Sequence, residues 1–523
     1  MATVGIRLVE GLVARGVEVV FGIPGVHTVE LYRGLAGSGL RHVTARHEQG
    51  AAFMADGYAR VSGKPGVAFV ITGPGVTNAL TAMAQARAES VPMLVVSGVN
   101  ARASLGRGLG ALHELPDQAA LVGALCPTET VMTPDDLGPA LDRAFAAMLG
   151  GRPGPVHLQV PTDVMPLPCP PLPHPAKVTR PVASSGMLSP ALARMARATR
   201  PVILAGGGTR GAAASLQRLA EIWDAPVVQT VNARGAMHGH PLVVPASPSL
   251  VPVRSLVAAA DQVLAVGTEL GPTDYDMYAT GGVPDLSGMI RIDICGTQLA
   301  RHPAHLMIES DADTALSALA DGLASRTGDG VQRAAAARST ARAVLAALHP
   351  AMPLQLAMVE AIRNGLPGAI IVGDSTQPVY AANLFYDHDR PRGWFNAATG
   401  YGALGFGPGA AIGAALAAPR VPVVCLIGDG GLQFSAAELR TAVDEDLPIS
   451  FVVWNNAGYR EIAEAMAAAG AKVIGCTPSP LRLASFAAAC DLPFVSLPPD
   501  PEALQSALKQ PQTGPRLIEI VAP

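Results

Sequence analysis

Gly428-Asp429-Gly430-Gly431 and, farther along, Asn455-Asn456 supply the donors of a hard-cation site. Asp429 follows an apolar run, residues 421–427, and the Asn pair follows another, residues 451–454. Short apolar runs of this kind read as buried strands. Two strands of one sheet would then each carry an oxygen donor to a common point. A carboxylate and an amide carbonyl, completed by phosphate oxygens, make a shell suited to Mg²⁺. Gly428, Gly430 and Gly431 let backbone N–H groups approach a phosphate, and a helix starting near Gln433 would aim its N-terminus there.

The elements that must position these groups alternate along the chain. Strand-like runs occur at residues 17–21, 67–71 and 93–96, then at 202–204, 227–229 and 262–266, then at 369–372, 421–427 and 449–454. Helical runs separate them. Such alternation implies α/β architecture, here three doubly wound parallel sheets covered by helices on both faces. A proline-rich stretch, residues 161–185, reads as a stiff, extended connector. A second connector, residues 325–350, is rich in Ala and Arg and helical in its middle. The expected domains are therefore residues 1–163, 186–325 and 350–523.

Length and charge agree with this. A chain of 523 residues suits three domains, and a net charge of −4 with no basic block gives no reason to expect a nucleic-acid partner. The six cysteines (Cys126, Cys169, Cys295, Cys425, Cys476 and Cys490) show no C-x-x-C spacing. They read as buried free thiols of a reducing, cytoplasmic compartment. Residues 1–16, with Arg7, Glu10 and Arg15, form an amphipathic helix pattern and not a signal peptide. The uncharged span 397–419 is broken by Gly and Pro and reads as a buried loop and helix, not a membrane crossing.

The GDGG and Asn-Asn segments resemble the diphosphate-binding motif of thiamine diphosphate (ThDP)-dependent enzymes of the acetolactate synthase and 2-oxo acid decarboxylase superfamily. The N-terminal half resembles the same family in Phe21-Gly22-Ile23-Pro24-Gly25, Arg46-His47-Glu48-Gln49-Gly50-Ala51, Met54-Ala55-Asp56-Gly57-Tyr58-Ala59-Arg60 and Gly73-Pro74-Gly75-Val76-Thr77-Asn78. The likeness spans essentially the whole chain. It implies the domain order pyrimidine-binding, central, diphosphate-binding, with ThDP and Mg²⁺ as cofactors. Asp429, Asn456 and the Gly458 carbonyl match the metal ligands.

The resemblance also implies roles. Glu48 matches the glutamate that hydrogen-bonds N1′ of the cofactor's aminopyrimidine and drives the tautomerisation by which the cofactor activates itself. Gly402 and Leu404, in Gly400-Tyr401-Gly402-Ala403-Leu404-Gly405, match the carbonyl that accepts from the 4′-amino group and the apolar wedge between the two rings. Pro24, Gly73, Asn78, Thr376 and Gln377 fall where relatives touch the cofactor. His113 and Glu114, and His27 after Pro24-Gly25, fall in loops that line the active site in relatives, where a histidine can do acid–base work near neutral pH. Gly206-Gly207-Gly208 has only part of a dinucleotide fingerprint, so a flavin (FAD) is not expected. In the family each site is shared between two subunits, which implies a homodimer at least and a homotetramer as the expected assembly.

The substrate expectation is a small 2-oxo acid. Val26-His27, Ser104-Leu105-Gly106 and Leu112-His113-Glu114 resemble 2-ketoarginine (5-guanidino-2-oxopentanoate) decarboxylases more than anabolic acetolactate synthases. A guanidinium asks for carboxylates in fork geometry, for which Glu114, Asp274, Glu461 and Glu464 are candidates. Arg460 is the departure, a cation beside the place a cationic substrate would take. A carboligase of acetolactate type is the alternative reading. A binding subunit without chemistry is disfavoured by the intact Glu48, Asp429 and Asn456.

Overall fold

The computed structural model describes residues 2–522 and contains three six-stranded parallel sheets with helices between the strands. The first sheet runs, in spatial order, Arg41–Thr44, Val19–Gly22, Gly66–Val70, Met93–Val99, Pro155–Pro161 and Thr128–Thr130. The second runs Leu306–Glu309, Ile290–Asp293, Gln262–Val266, Pro201–Ala205, Val227–Gln229 and Val243–Val244. The third runs Trp394–Asn396, Ile370–Gly373, Val423–Gly428, Ile449–Asn455, Arg516–Val521 and Phe494–Leu497. Their central strands are buried on both faces, which is why they read as unbroken apolar runs. The connector at residues 325–350 is helical over Gly330–Ala343 and Leu345–Leu348. The uncharged span becomes the buried helix Phe406–Ala417, and among the described residues no helix is long and apolar enough to cross a membrane.

By compactness the chain divides into two units. One comprises the residues up to Thr179 together with Gly400–Ser496 and Pro511–Glu519. The other comprises Arg180–Thr399, Leu497–Gln510 and the residues from Ile520 on.

In the first unit the helix Glu48–Ser62 lies directly against the helix Phe406–Ala417. The approach is close enough that a Cβ at Gly57 would stand 2.0 Å from the Ala410 carbonyl oxygen, and one at Gly413 would stand 1.9 Å from that of Met54. Glycine is therefore a steric requirement at this crossing. The contact also encloses an ion triad: Arg60 meets Asp56 at 2.5 Å and Glu89 at 3.9 Å and lies over the Phe406 ring. All three charged side chains are 2 % exposed or less, so losing one partner would strand a buried charge.

On the strand Pro155–Pro161 of the first sheet His157 is fully buried, its Nε2 2.8 Å from Ser97 Oγ, and burial pushes the imidazole down to about 3. A folded-state value below that of the unfolded chain means the unfolded chain takes up the proton first. This stabilising contribution is complete above about pH 6.5 and is lost as the pH falls toward about 3, at about 1.4 kcal/mol per pH unit. His157→Gln should therefore flatten the pH dependence of the urea midpoint between pH 7 and pH 5. An unchanged slope would show that His157 does not titrate in this way.

In the second unit a core cluster around Ile203, Leu216, Leu219, Trp223, Leu264, Ile292 and Leu316 supports the second sheet. Buried Arg234 donates to the carbonyls of Ala382 and Asn383 and so secures the helix Gln377–Leu384. The glycines Gly206 and Gly208 are in use within the unit. A Cβ at Gly206 would meet the Gly267 carbonyl at 2.2 Å, and one at Gly208 would meet the Gly267 Cα at 2.8 Å.

Candidate active site

The candidate cation donors Asp429 and Asn456 converge as the strands require. Val423–Gly428 and Ile449–Asn455 run parallel with Gly428 opposite Trp454, so Asp429 and the Asn pair leave the sheet at the same end. The Asn456 N–H points at Asp429 Oδ1 at 3.4 Å. The two asparagines have separate tasks. Asn455 donates to Glu519 at 2.6 Å and accepts from the Ala457 N–H at 3.1 Å, which leaves Asn456 as the member of the pair at Asp429. Ala457 at φ 58° and Gly458 at φ 156° turn the chain sharply after the pair. Asp429 is only 5 % exposed, and burial pushes its carboxyl up against the pull of backbone N–H groups from Asn456, Asp429, Gly430 and Gly458. A desolvated carboxylate is a ligand that a hard divalent cation fits, and the neighbouring Asn456 and Gly458 carry the amide and carbonyl oxygens that would complete the set.

One expectation is corrected here. The helix after the glycine motif does not begin near Gln433. It begins at Asp429 and lasts four residues, Asp429–Leu432, because the Gly pair permits a tight turn that the chain leaves at once. The next helix starts at Glu438.

Glu48 is the first residue of its helix, with His47 as N-cap accepting the Gln49 N–H through Nδ1. It is half-buried, and Asn78 Nδ2 donates to its Oε2 at 2.9 Å. Asn78 comes from the helix Pro74–Ala88, whose N-cap is Gly73. Gly73 sits at φ 65°, where a Cβ would strike the His113 carbonyl oxygen at 2.4 Å. Its N–H donates to Gln118 Oε1 at 2.9 Å. One chain of contacts thus runs from the His113 loop through Gly73 and Asn78 to Glu48.

His27 and His113 are brought together, ring centroids 5.3 Å apart and edge to face. Burial, and then the neighbouring His113, push His27 down, which favours a neutral ring able to take a proton. Glu114 does something more local: its carboxylate accepts the N–H groups of Leu109 and Ala111 at 3.1 and 3.0 Å. Against a desolvation that raises it, these bonds, with those of Gly110 and Gly108, hold its carboxyl below the usual carboxylate range. Pro24 is exposed on the loop before His27.

Gly402, at φ 77°, and the half-buried Leu404 precede the helix Phe406–Ala417, and the intervening Ala403 N–H is held by Gln85 Oε1 at 3.2 Å. Glu461 and Glu464 are exposed on the helix Arg460–Ala468, which buries none of its residues, and Arg460 reaches Glu464 at 3.5 Å. Arg460 therefore has an anionic neighbour in its own helix.

The second unit holds the other three candidates. Thr376 is buried at the N-cap of the helix that starts at Gln377. Asp274 lies in the short helix Pro272–Tyr275 and accepts the Val231 N–H at 3.4 Å; burial lowers the Arg234 guanidinium's proton affinity, and Asp274 offsets part of that.

Sequence reasoning did not single out Gln85, Gln118 or Glu438, all of which hold site segments in place. Each is a buried polar side chain, and its burial is visible only in the fold.

The three-sheet fold is that of a thiamine pyrophosphate enzyme, and the chain belongs to that family. It matches the thiamine pyrophosphate enzyme N-terminal TPP binding domain over residues 2–121, the central domain over residues 188–319 and the C-terminal TPP binding domain over residues 373–520. It is 41 % identical to the probable 2-ketoarginine decarboxylase AruI of Pseudomonas aeruginosa, across 99 % of this chain and 94 % of that protein. It is 31 % identical to the acetolactate synthase isozyme 3 large subunit of Escherichia coli, across 86 % of this chain and 81 % of that one. The chloroplastic acetolactate synthase of Arabidopsis thaliana is 29 % identical, across 99 % and 81 %.

Proposed function

We propose that the protein is a ThDP- and Mg²⁺-dependent decarboxylase of 2-oxo acids, with 5-guanidino-2-oxopentanoate as favoured substrate. The reaction consumes one proton and gives 4-guanidinobutanal and CO₂. The observation that carries the chemistry is the convergence of Asp429 and Asn456, together with Glu48 fixed by Asn78. The substrate rests on the likeness to a probable 2-ketoarginine decarboxylase.

Asp429, Asn456 and the Gly458 carbonyl would hold Mg²⁺ on the diphosphate. Gly428, Gly430 and Gly431 would complete the diphosphate site, with Pro24 and Gly73 beside the cofactor, and Thr376 and Gln377 remain candidates for cofactor binding. Gly402 and Leu404 would bend the cofactor. When bound, the cofactor supplies the electron sink that takes up the charge left as CO₂ departs. Glu48 would keep a proton at N1′. His27 and His113 would move the proton that the product carbon takes up, a reading that their edge-to-face contact supports. Asp274, Glu461 and Glu464 remain the candidates for the guanidinium. Because Glu48 and Asp429 are read as parts of sites shared between subunits, the working form is a homodimer or a homotetramer.

The acetolactate synthase relatives favour one alternative, transfer of the two-carbon unit to a second carbonyl. Product analysis separates the readings. Enzyme stripped with a chelator should regain activity only when ThDP and Mg²⁺ are both restored, and it should release aldehyde and CO₂ in equal amounts. Acetolactate as the main product would select the carboligase.

A further inference from the structure

Glu438 is a carboxylate that the chemistry above leaves unused, and it is 1 % exposed. It starts the helix Glu438–Asp444 and reaches the segment that carries Glu48. Its Oε1 accepts the Arg46 N–H at 3.1 Å and the His47 N–H at 3.0 Å, and its Oε2 accepts the Thr441 hydroxyl at 2.8 Å. These are the two residues before Glu48. Gly50, two residues after it, is shaped by the same contact, since a Cβ there would stand 2.1 Å from Glu438 Oε1. The run Arg46-His47-Glu48-Gln49-Gly50 thus folds around one buried carboxylate, with the Glu48 side chain left to Asn78. Two surface pairs bind the same helix to the same corner, Arg46 with Asp444 and Arg41 with Glu445.

We propose that Glu438 is the positioning residue for Glu48, fixing the helix start from which Glu48 addresses the cofactor. The inference rests on the role given to Glu48. Its geometry stands on this chain alone: two backbone N–H groups that no helix bond satisfies, one buried acceptor for both, and a glycine that the acceptor requires. A misplacement of about 1 Å at a reacting group costs roughly a hundredfold in rate.

The test compares Glu438→Ala, Glu438→Gln and the control Glu445→Gln in the full-length protein. In the cofactor-free state, hydrogen exchange of the Arg46 and His47 amides should quicken in Glu438→Ala and stay slow in Glu438→Gln, whose Oε1 can still accept both. With ThDP bound, Glu438→Ala should lose about a hundredfold in kcat at nearly constant KM and constant ThDP affinity. Glu438→Gln should recover most of that loss, and Glu445→Gln should match the parent. Unchanged kcat in Glu438→Ala overturns the proposal. So does a loss of ThDP affinity or of folding in both Glu438 variants, since that marks a scaffold role. Glu48→Gln run in parallel separates the two readings. If it too reacts at the parental rate, the role of Glu48 fails; if it alone is slow, only the role of Glu438 fails.

Discussion

Glu48→Gln should bind ThDP as the parent does and turn over about a thousandfold more slowly, within the range that positioned proton transfer supplies. The amide has nearly the same size, and Asn78, which donates at 2.9 Å, can turn its own amide to meet it. The fold around position 48 is therefore kept. What is lost is a group that can exchange a proton with N1′. The diagnostic reading is exchange of the cofactor's C2 proton, followed by NMR on the bound form. Exchange as fast as in the parent would remove Glu48 from the mechanism.

Asp429→Ala should abolish stable cofactor binding. Asp429 is buried, and that burial raises the proton affinity of its carboxyl. Removing one partner of a buried charge pair costs about 3–5 kcal/mol, or more than a hundredfold in affinity. Calorimetry with ThDP and Mg²⁺ should show that loss, and unchanged affinity would overturn the metal assignment. The two variants together also test the assembly. If Glu48 and Asp429 act across subunits, mixed and reassorted dimers of the two single variants form one intact site in each heterodimer. Activity should then return to about a quarter of the parental value. No recovery would place both residues in one subunit's site.

The parts of the fold that the sequence disclosed are those with a single physical cause. Gln262–Val266 and Val227–Gln229 are buried on both faces and appear as apolar runs with the same limits. Other strands obey weaker signals. Arg41–Thr44 is an edge strand with only Val43 buried, so it lacks an apolar run. Pro155–Pro161 is wholly buried yet begins and ends in proline, the residue that ordinarily marks a loop. At the site, Asp429 and Asn456 were legible because parallel strands turn sequence spacing into spatial proximity. The Asn78–Glu48 bond was not, because it depends on how two helices pack. Glu438 was hidden for a different reason. A lone Glu at a helix start reads as a charge favoured by the helix dipole, and only the fold reveals that it serves another helix.

The most direct test of the central claim is kcat/KM for 5-guanidino-2-oxopentanoate and for pyruvate, measured on the same preparation with ThDP and Mg²⁺. The account predicts a preference for the guanidino acid of at least about tenfold, with the aldehyde as product. A preference for pyruvate, with acetolactate accumulating, would contradict it.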